Sequence, residues 1–277
     1  PHSRSEGVIM SNPEAITAIA DFAEELALRA GELIKHEREQ NTLRTDYKQQ
    51  TELVTHADVM ADEMITGAIR ERFPNHRILS EETMPDLSQA EHLDTPLWII
   101  DPIDGTTNFL HGNPNFSISI AAEVEGKLEM AMVYSPITDE LYIAERGKGA
   151  YLNDKRIRIA GRKKLSESVI VTGIPHLGRG DPLIFIKELE EFMPLVAGIR
   201  RSGSAALDLA WLAAGRYDGF WERNLSEWDI AAGILLVKEA GGIVTGINGS
   251  KDDLLKGNIL AGNERIHDLL LRKINNL

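Results

Sequence analysis

The chain has 277 residues, of which 43% are hydrophobic and 26% are charged, and its formal net charge at pH 7 is −13. This composition is typical of a globular protein with one large domain or two ordinary domains. The negative charge argues against direct nucleic-acid binding. The absence of cysteine excludes disulfides and thiolate metal sites, and no apolar run approaches the roughly 20 residues of a membrane span.

The first residues show no features of a signal peptide, so we expect a cytoplasmic protein. Met10 has the character of a natural start, and we expect residues 1–9 to be a vector-encoded or disordered extension. Residues 12–14, Asn-Pro-Glu, are typical of a helix start. Apolar residues at helical spacing then predict an amphipathic helix that continues to about Glu39.

A second helix and a short strand follow. Thr55 and Asp58 suit a helix N-terminus, and Pro74 ends the helical pattern. Residues 77–79 predict a strand that leads into Ser-Glu-Glu at 80–82. A pair of glutamates is common on surfaces, but Glu81 lies at a strand end about 20 residues before another strand end.

That second strand end carries the most informative stretch of the chain. Residues 98–100 are an apolar run that we expect to stop at Asp101, because Pro102 cannot continue a strand. Asp101 and Asp104 are followed by Gly105, where backbone can approach a ligand closely. Two oxygen donors followed by free N–H groups can hold a divalent cation and a phosphate together. The alternative is a turn whose aspartates bind their own backbone.

The pattern then changes twice. Strand-like segments separated by turns run from residue 116 to residue 152 and predict a meander. A basic cluster at 156–164 is expected to mark an exposed connection. From Ser168 onward strands alternate with helices, which is typical of an α/β unit.

Two helix starts in this second part carry polar residues of interest. Ser204, in Gly-Ser-Ala-Ala at 203–206, is a good N-cap for the helix that continues to Ala214. Asp229 follows Trp228 at the next helix start, where an isolated aspartate would be an ordinary first-turn acid.

Four motifs in this order resemble the signatures of the inositol monophosphatase family of magnesium-dependent, lithium-sensitive phosphatases. They are S-E-E at 80–82, D-P-I-D-G-T-T-N-F at 101–109, G-S-A-A at 203–206 and W-D-I-A-A-G at 228–233. The resemblance runs from residue 16 to about residue 270 and implies an α/β (α+β) fold, a layered α-β-α-β-α sandwich of the inositol monophosphatase and fructose-1,6-bisphosphatase type. It implies an N-terminal metal-binding domain at 10–160 and a C-terminal domain at 161–277, with the site in the cleft between them.

The resemblance also implies that two or three Mg²⁺ ions bind per site. Glu81, Asp101 and the backbone carbonyl of Ile103 are the implied ligands of the first ion. Asp101, Asp104 and Asp229 are the implied ligands of the second, and Li⁺ is expected to inhibit by occupying that second site.

A third, weaker cation is implied by the segment at 48–58, K-Q-Q-T-E-L-V-T-H-A-D. Lys48 and Asp58 match the residues that face this cation through water in the family, and Glu81 also serves it through water. The alternative is a surface lysine and a helix-capping aspartate.

The implied chemistry is hydrolysis without a covalent phosphoenzyme. The catalytic residues are Glu81, Thr106 and Asp101: a metal-bound water attacks after orientation by Thr106 with Glu81 as its partner. The backbone N–H groups of Gly105 and Thr106 grip the phosphate, and the leaving oxygen is protonated near Asp229.

The implied substrate is a small phosphate monoester. Thr-Asn-Phe at 107–109 fits the inositol type, and Glu222 matches a residue that binds ring hydroxyls. Inositol 1-phosphate is the first expectation and fructose 1,6-bisphosphate the second. The residues expected to bind substrate are Asp104, Gly105, Thr106, Gly203, Ser204, Ala205, Glu222 and Asp229.

The family also suggests partners. A homodimer is implied, without membrane or direct nucleic-acid binding. Some bacterial members are tied to transcription complexes for ribosomal RNA, and Arg200, Arg201 and Lys163 are candidate contacts for such a role. The alternative for these residues is a solvated basic surface or a dimer contact.

Overall fold

The structure is a computed structural model that describes residues 12–40, 47–81, 83 and 95–277, with the backbone alone described for 47–55. The expected extension at residues 1–9 and the side chain of Lys48 lie outside the described residues. In the described part of the chain, no helix has both the length and the apolar character needed to cross a membrane.

A seven-stranded sheet is formed by the first part of the chain, with its strands in sequence order. The first two strands are parallel, with Ser80 opposite Ile100, and each later strand is antiparallel to the one before it. The two strand ends that carry acids are therefore neighbours. The strands are β1 (Arg77–Ser80), β2 (Leu97–Asp104), β3 (Ser117–Val124), β4 (Lys127–Ser135), β5 (Glu140–Glu145), β6 (Ala150–Leu152) and β7 (Lys155–Ile157).

Both faces of this sheet are buried because its strands carry apolar residues on both sides. Trp98 and Ile100 pack in one core with helices α1 (Pro13–Gln40) and α2 (Tyr47–Arg72). Ile99 lies between them in sequence and packs in a different core on the opposite face. This alternation is what a strand geometry with a period of two residues requires.

A five-stranded sheet is formed by the second part of the chain, in the order β11-β12-β10-β8-β9. β8 lies parallel to both β9 and β10, whereas β12 is antiparallel to β10 and β11. The strands are β8 (Val169–Thr172), β9 (Gly198–Arg200), β10 (Gly219–Glu222), β11 (Ile243–Thr245) and β12 (Ile259–Gly262). The helices after β2 are α3 (Thr106–His111), α4 (Pro182–Phe192), α5 (Ala205–Ala213), α6 (Glu227–Glu239), α7 (Lys251–Leu255) and α8 (Glu264–Ile274).

The layers follow from which residues share a core. α5 and α6 pack in one cluster with Ile99 of the first sheet and Phe220 of the second, so these helices lie between the sheets. Both helices are apolar nearly all round, as helices buried on all sides must be. Trp221 packs with Phe192 at the end of α4 and with Leu270 of α8, so these two helices cover the outer face of the second sheet. The predicted α-β-α-β-α sandwich is confirmed.

Two expected boundaries were wrong. β2 does not stop at Asp101 but continues to Asp104, because the pairing with β3 shifts register between these residues. Pro102 sits in that irregularity, where the ladder does not need its missing N–H. The second helix begins at Tyr47 rather than near Thr55, so Asp58 lies within the helix and does not cap it.

The basic residues at 156–164 are exposed, as the sequence predicted, and residues 158–164 connect β7 to the second sheet without a helix or strand. Arg156 lies in β7, and Arg162 forms an ion pair with the buried Asp218 at 3.0 Å. The elements α3, β7 and α7 were not expected, because each is too short to show a periodic pattern.

We predict that the two middle-layer helices tolerate no added side-chain volume where they cross. A Cβ at Gly233 of α6 would lie 2.5 Å from Cβ of Leu209 on α5, so Gly233→Ala should lower the free energy of unfolding by about 1–3 kcal/mol. Gly67 of α2 is the matched control, since a Cβ there meets nothing within 4 Å. Gly67→Ala should stabilise by about 0.5–1 kcal/mol. Denaturant titration measures both, and equal effects would contradict the close approach.

Candidate functional site

Three carboxylates from distant parts of the chain meet where β2 ends. Asp101, Asp104 and Asp229 each offer an oxygen within 4.8 Å of the others. In a regular strand, residues three apart point to opposite faces. The register shift between Asp101 and Asp104 removes this obstacle and lets both side chains reach the same group.

Asp104 is held by the start of α5. Its Oδ2 accepts hydrogen bonds from the hydroxyl of Ser204 at 2.6 Å and from the backbone N–H of Ala206 at 2.8 Å. Ser204 is the N-cap of α5, as the sequence predicted, and its Oγ also accepts from the N–H of Leu207. With Oδ2 occupied in this way, Oδ1 of Asp104 remains for a ligand.

Asp229 reaches the cluster from the first turn of α6. It forms a capping box with Ser226, whose backbone N–H donates to Oδ2 of Asp229 at 2.9 Å. The positive end of the helix dipole lies at this turn and favours a carboxylate there. The expectation that Asp229 is a first-turn acid and the expectation that it joins the two aspartates of β2 therefore both hold.

Burial and mutual repulsion make the ionised cluster unfavourable without a cation. Burial, followed by the charges of Asp104, Asp229 and Asp58, raises the pKa of Asp101 well above its usual range. Burial and the charge of Asp229 raise the pKa of Asp104 to about 7. Burial also raises the pKa of Asp229, while the charge of Arg179 opposes that rise. A hard divalent cation prefers such oxygen ligands and would remove the repulsion, so the donor set fits a metal of this class.

The other expected ligands of the first and third cations lie around this cluster. Glu81 follows the last residue of β1, opposite the strand that carries Asp101, but it is exposed and not among the three mutually close carboxylates. Ile103 is buried in β2. Asp58 of α2 is close enough for its charge to act on Asp101. The metal roles of Glu81, Ile103 and Asp58 stay predictions.

Gly105 and Thr106 form the start of α3 next to the cluster. Gly105 has a φ of +95°, and a Cβ at this position would lie 2.8 Å from the carbonyl oxygen of Asn115. Glycine is therefore required both by the backbone conformation and by the close approach. Thr106 is the first residue of α3 and is exposed, so its N–H and hydroxyl are accessible.

Glu222 lies at the end of β10 and belongs to the same electrostatic environment. Burial, and then the charges of Asp208, Asp104 and Asp229, raise the pKa of Glu222 well above its usual range. One of its carboxylate oxygens is buried without a hydrogen-bond partner in the described part of the protein. The other lies 1.4 Å from where a Cβ of Gly173 would be, so only glycine fits beneath Glu222.

Two buried polar residues near the site have supporting roles that the sequence analysis did not predict. Asn108 donates from Nδ2 to the carbonyls of Asn115 at 2.7 Å and Ser202 at 2.8 Å, which ties the α3 region to the start of α5. Asp208 lies in the first turn of α5 and accepts a hydrogen bond from Ser202. The sequence places Asn108 in a motif but does not indicate its supporting role. Asp208 could have been found as a polar residue within the otherwise apolar α5.

Comparison with known proteins places this site in a family. The profile of the inositol monophosphatase family matches residues 16–277. The chain belongs to this family. An inositol-1-monophosphatase of Mesorhizobium japonicum is 45% identical over 262 residues, covering 94% of this chain and 97% of that protein.

Two further proteins are similar to this chain over most of their length, one compared by sequence and one by its solved structure. A protein of Pseudomonas aeruginosa named Nus factor SuhB is 44% identical over 251 residues, which are 90% of this chain and 92% of that protein. The solved structure of an inositol monophosphatase from Anabaena (Nostoc) sp. PCC 7120 is 39% identical with a TM-score of 0.82, covering 94% of this chain and 96% of that one.

Membership of the inositol monophosphatase family makes this chain a phosphatase. The family is metal-dependent, and the cluster of two buried carboxylates and the partly buried Asp229 fits a metal within the described residues. Their positions within two of the motifs, D-P-I-D-G and W-D-I-A-A-G, link the sequence signatures directly to the geometry.

We predict that the carboxylate cluster makes the stability of the metal-free protein depend on pH. Because the folded-state pKa of Asp104 rises from 3.8 to about 7, the folded protein holds protons that the unfolded chain releases. The cluster's contribution to the free energy of unfolding therefore falls as the pH rises through this window and is flat above it. Thermal melts in EDTA across this range measure the effect, and Asp104→Asn should flatten it.

A divalent cation should reverse this dependence. Saturating MgCl₂ should raise Tm more at about pH 8 than at about pH 5, because at the lower pH the cation must displace protons. A gain in Tm that is the same at both pH values would contradict binding at the cluster.

Proposed function

We propose that this chain hydrolyses inositol monophosphate to inositol and phosphate with the help of Mg²⁺. The observation that carries the proposal is the cluster of Asp101, Asp104 and Asp229, two of them buried and the third partly buried, beside the start of α3. Relatives named inositol-1-monophosphatase, 45% and 46% identical to this chain, support the choice of substrate.

The carboxylates divide between two proposed cation sites. Asp101, Asp104 and Asp229 would hold one ion. Asp101 would share a second ion with Glu81 and the carbonyl of Ile103, and Lys48 and Asp58 would face a weaker third. When bound, the cations neutralise the charge of the phosphate and stabilise the leaving oxygen. Li⁺ is proposed to compete for the site at Asp229.

The start of α3 would position the phosphate and the water. The N–H groups of Gly105 and Thr106 lie at a helix N-terminus, where backbone N–H groups have no partner within the helix, and would donate to phosphate oxygens. The exposed hydroxyl of Thr106 would orient the attacking water, and the carboxylate of Glu81 would accept its proton as the general base.

The alcohol part of the substrate would lie toward the second sheet. A ring hydroxyl could donate to the buried oxygen of Glu222 that lacks a partner in the described part of the protein. The loop Gly203–Ala205 is proposed to line the same side, although the hydroxyl of Ser204 is already committed to Asp104.

We predict magnesium-dependent, lithium-sensitive phosphate release that is strongest on inositol 1-phosphate. The substrates tested should include fructose 1,6-bisphosphate. If the enzyme prefers this substrate, the proposed hydrolytic mechanism stands but the substrate class is different. Asp101→Asn should abolish turnover, since it removes a charge proposed to serve two cations. The same change relieves repulsion, so the Tm of the metal-free variant should be no lower than that of the unchanged protein. Normal turnover by this variant would refute the assignment.

We also propose that the protein is a homodimer whose contact includes α4. Six of the eleven large apolar residues that are exposed in the described structure lie between residues 174 and 193. Leu183, Ile186 and Met193 share one face of α4 by helical spacing. A groove of about 440 Å³ between α4 and β9 continues this surface with further apolar side chains. Such a concentration of exposed apolar area is typical of an interface.

We predict that Ile186→Glu converts the dimer to a monomer, because a charge would be buried without a partner at the contact. Light scattering coupled to size exclusion measures the mass. Leu255→Glu is the matched control: Leu255 on α7 is 69% exposed, against 55% for Ile186, and lies away from α4 in sequence. A monomeric unchanged protein, or a dimeric Ile186→Glu variant, would contradict the proposal.

A binding role in transcription is the second candidate. It is supported by the relative named Nus factor SuhB, 44% identical to this chain, and by Arg200, Arg201 and Lys163, which are all exposed. Absence of turnover on every substrate tested, by folded protein that binds magnesium, would make this role the leading one.

A further inference from the structure

Asp208 is a buried carboxylate for which the proposed chemistry has no use. Its side chain is 1% exposed, and it lies in the first turn of α5, outside the group of mutually close metal-type ligands. Burial raises the pKa of Asp208 well above its usual range, and the hydrogen bond from Ser202 opposes that rise by stabilising the carboxylate form. A buried acid in this situation is unfavourable for folding, so its presence calls for a role.

Asp208 determines where the single proton of the Ser202 hydroxyl points. Oγ of Ser202 lies 2.5 Å from Oδ1 of Asp208 and 3.4 Å from the carbonyl oxygen of Ser204. A hydroxyl has one proton to donate, and the shorter bond to a carboxylate is the stronger one. With its proton directed to Asp208, Oγ of Ser202 is free to accept from the backbone N–H of Ser204 at 3.2 Å.

Ser204 connects Ser202 to Asp104 through hydrogen bonds. The backbone N–H of Ser204 is fixed by Ser202, and its Oγ accepts from the N–H of Leu207 at 3.3 Å. The hydroxyl of Ser204 also lies 3.3 Å from that of Ser117, but the shorter bond, 2.6 Å to the carboxylate oxygen Oδ2 of Asp104, is the stronger one and takes the proton of Ser204. The side chain of Asp104 also interacts directly with that of Asp101.

The opposite side of this loop is fixed by an independent contact. Asn108 donates to the carbonyl of Ser202, and Asp208 donates its own N–H to the carbonyl of Ser204 at 2.9 Å. The loop before α5 is therefore held from the α3 region and from within α5. Within the described residues, the charged side chains that form hydrogen bonds with Ser202 or Ser204 are those of Asp208 and Asp104.

We propose that Asp208 is a positioning residue for the cation site. Through Ser202 and Ser204 it keeps Oδ2 of Asp104 in hydrogen bonds and leaves Oδ1 to the cation. The inference rests on the proposed cation site at Asp101, Asp104 and Asp229. Groups that orient metal ligands from behind typically change metal affinity by about 10–100-fold when they are removed.

The test is the affinity of the full-length protein for Mn²⁺, measured from free Mn²⁺ by electron paramagnetic resonance, together with the Mg²⁺ dependence of turnover. Asp208→Ala and Ser202→Ala should each raise the Kd for Mn²⁺ by about tenfold, and the double variant should be no weaker than the weaker single one. Asp208→Asn keeps an oxygen that can accept from Ser202, so it should recover most of the affinity.

A merely structural role for Asp208 would give a different result. Ser250→Ala is the matched control, because it removes an N-cap hydrogen bond from the N–H of Asp253 on a different helix, α7. It should lower Tm by about 2–4 °C and leave the Kd for Mn²⁺ unchanged. If Asp208→Ala and Ser202→Ala lower Tm as Ser250→Ala does but leave Kd unchanged, the proposal is overturned.

The outcomes separate this inference from the proposed site on which it rests. If Asp101→Asn does not weaken Mn²⁺ binding, the cation site itself is wrong. If Asp101→Asn weakens it and Ser202→Ala does not, only the role of Asp208 is wrong. Should Asp208→Ala fail to fold, Ser202→Ala decides the matter, since it removes the bridging hydroxyl and keeps the carboxylate.

Discussion

Mutual repulsion among Asp101, Asp104 and Asp229 is the constraint on which the rest of this structure depends. Three carboxylates with oxygens within 4.8 Å of one another, largely removed from water, cannot all ionise at low cost. The fold holds them together with hydrogen bonds from Ser204, Ala206 and Ser226. This arrangement destabilises the metal-free protein at neutral pH, and the same repulsion is what a divalent cation would relieve on binding.

The sandwich explains how residues so distant in sequence come to lie in one carboxylate cluster. The first sheet presents Asp101 and Asp104 at the end of β2, and the middle helices present Ser204 and Asp229 at their N-termini. Because α5 and α6 are buried between both sheets, their starts cannot move independently of β2. The site is therefore formed on regular elements and positioned by the largest core of the protein. The glycines at 105 and 173 are needed because backbone or a carboxylate occupies the space of a side chain.

Much of this architecture was predictable from the sequence, and the exceptions have physical reasons. The first helix was predicted from residues 12–14 to about Glu39 and is observed as Pro13–Gln40, since a helix-start signal precedes a long amphipathic segment. The five layers and the pairing of Asp229 with the β2 aspartates came from the family resemblance, because no local pattern reports a contact between residues over 120 positions apart. The passage of β2 through Pro102 depends on the register with β3, which a single strand does not reveal. Asn108 and Asp208 support the site through side-chain hydrogen bonds to the loop before α5. The sequence shows Asp208 as a polar residue among apolar neighbours and Asn108 as part of a motif, but it does not show the partners of either.

The proposed cation site at Asp101, Asp104 and Asp229 can be tested directly by an anomalous diffraction map from crystals of this protein soaked in Mn²⁺. Mn²⁺ substitutes for Mg²⁺ with the same preference for oxygen ligands. The account predicts a peak within bonding distance of the carboxylates of Asp101, Asp104 and Asp229, and the loss of that peak in crystals of Asp104→Asn. A fully soaked crystal with no peak among these carboxylates, or with Mn²⁺ bound only elsewhere, would contradict it.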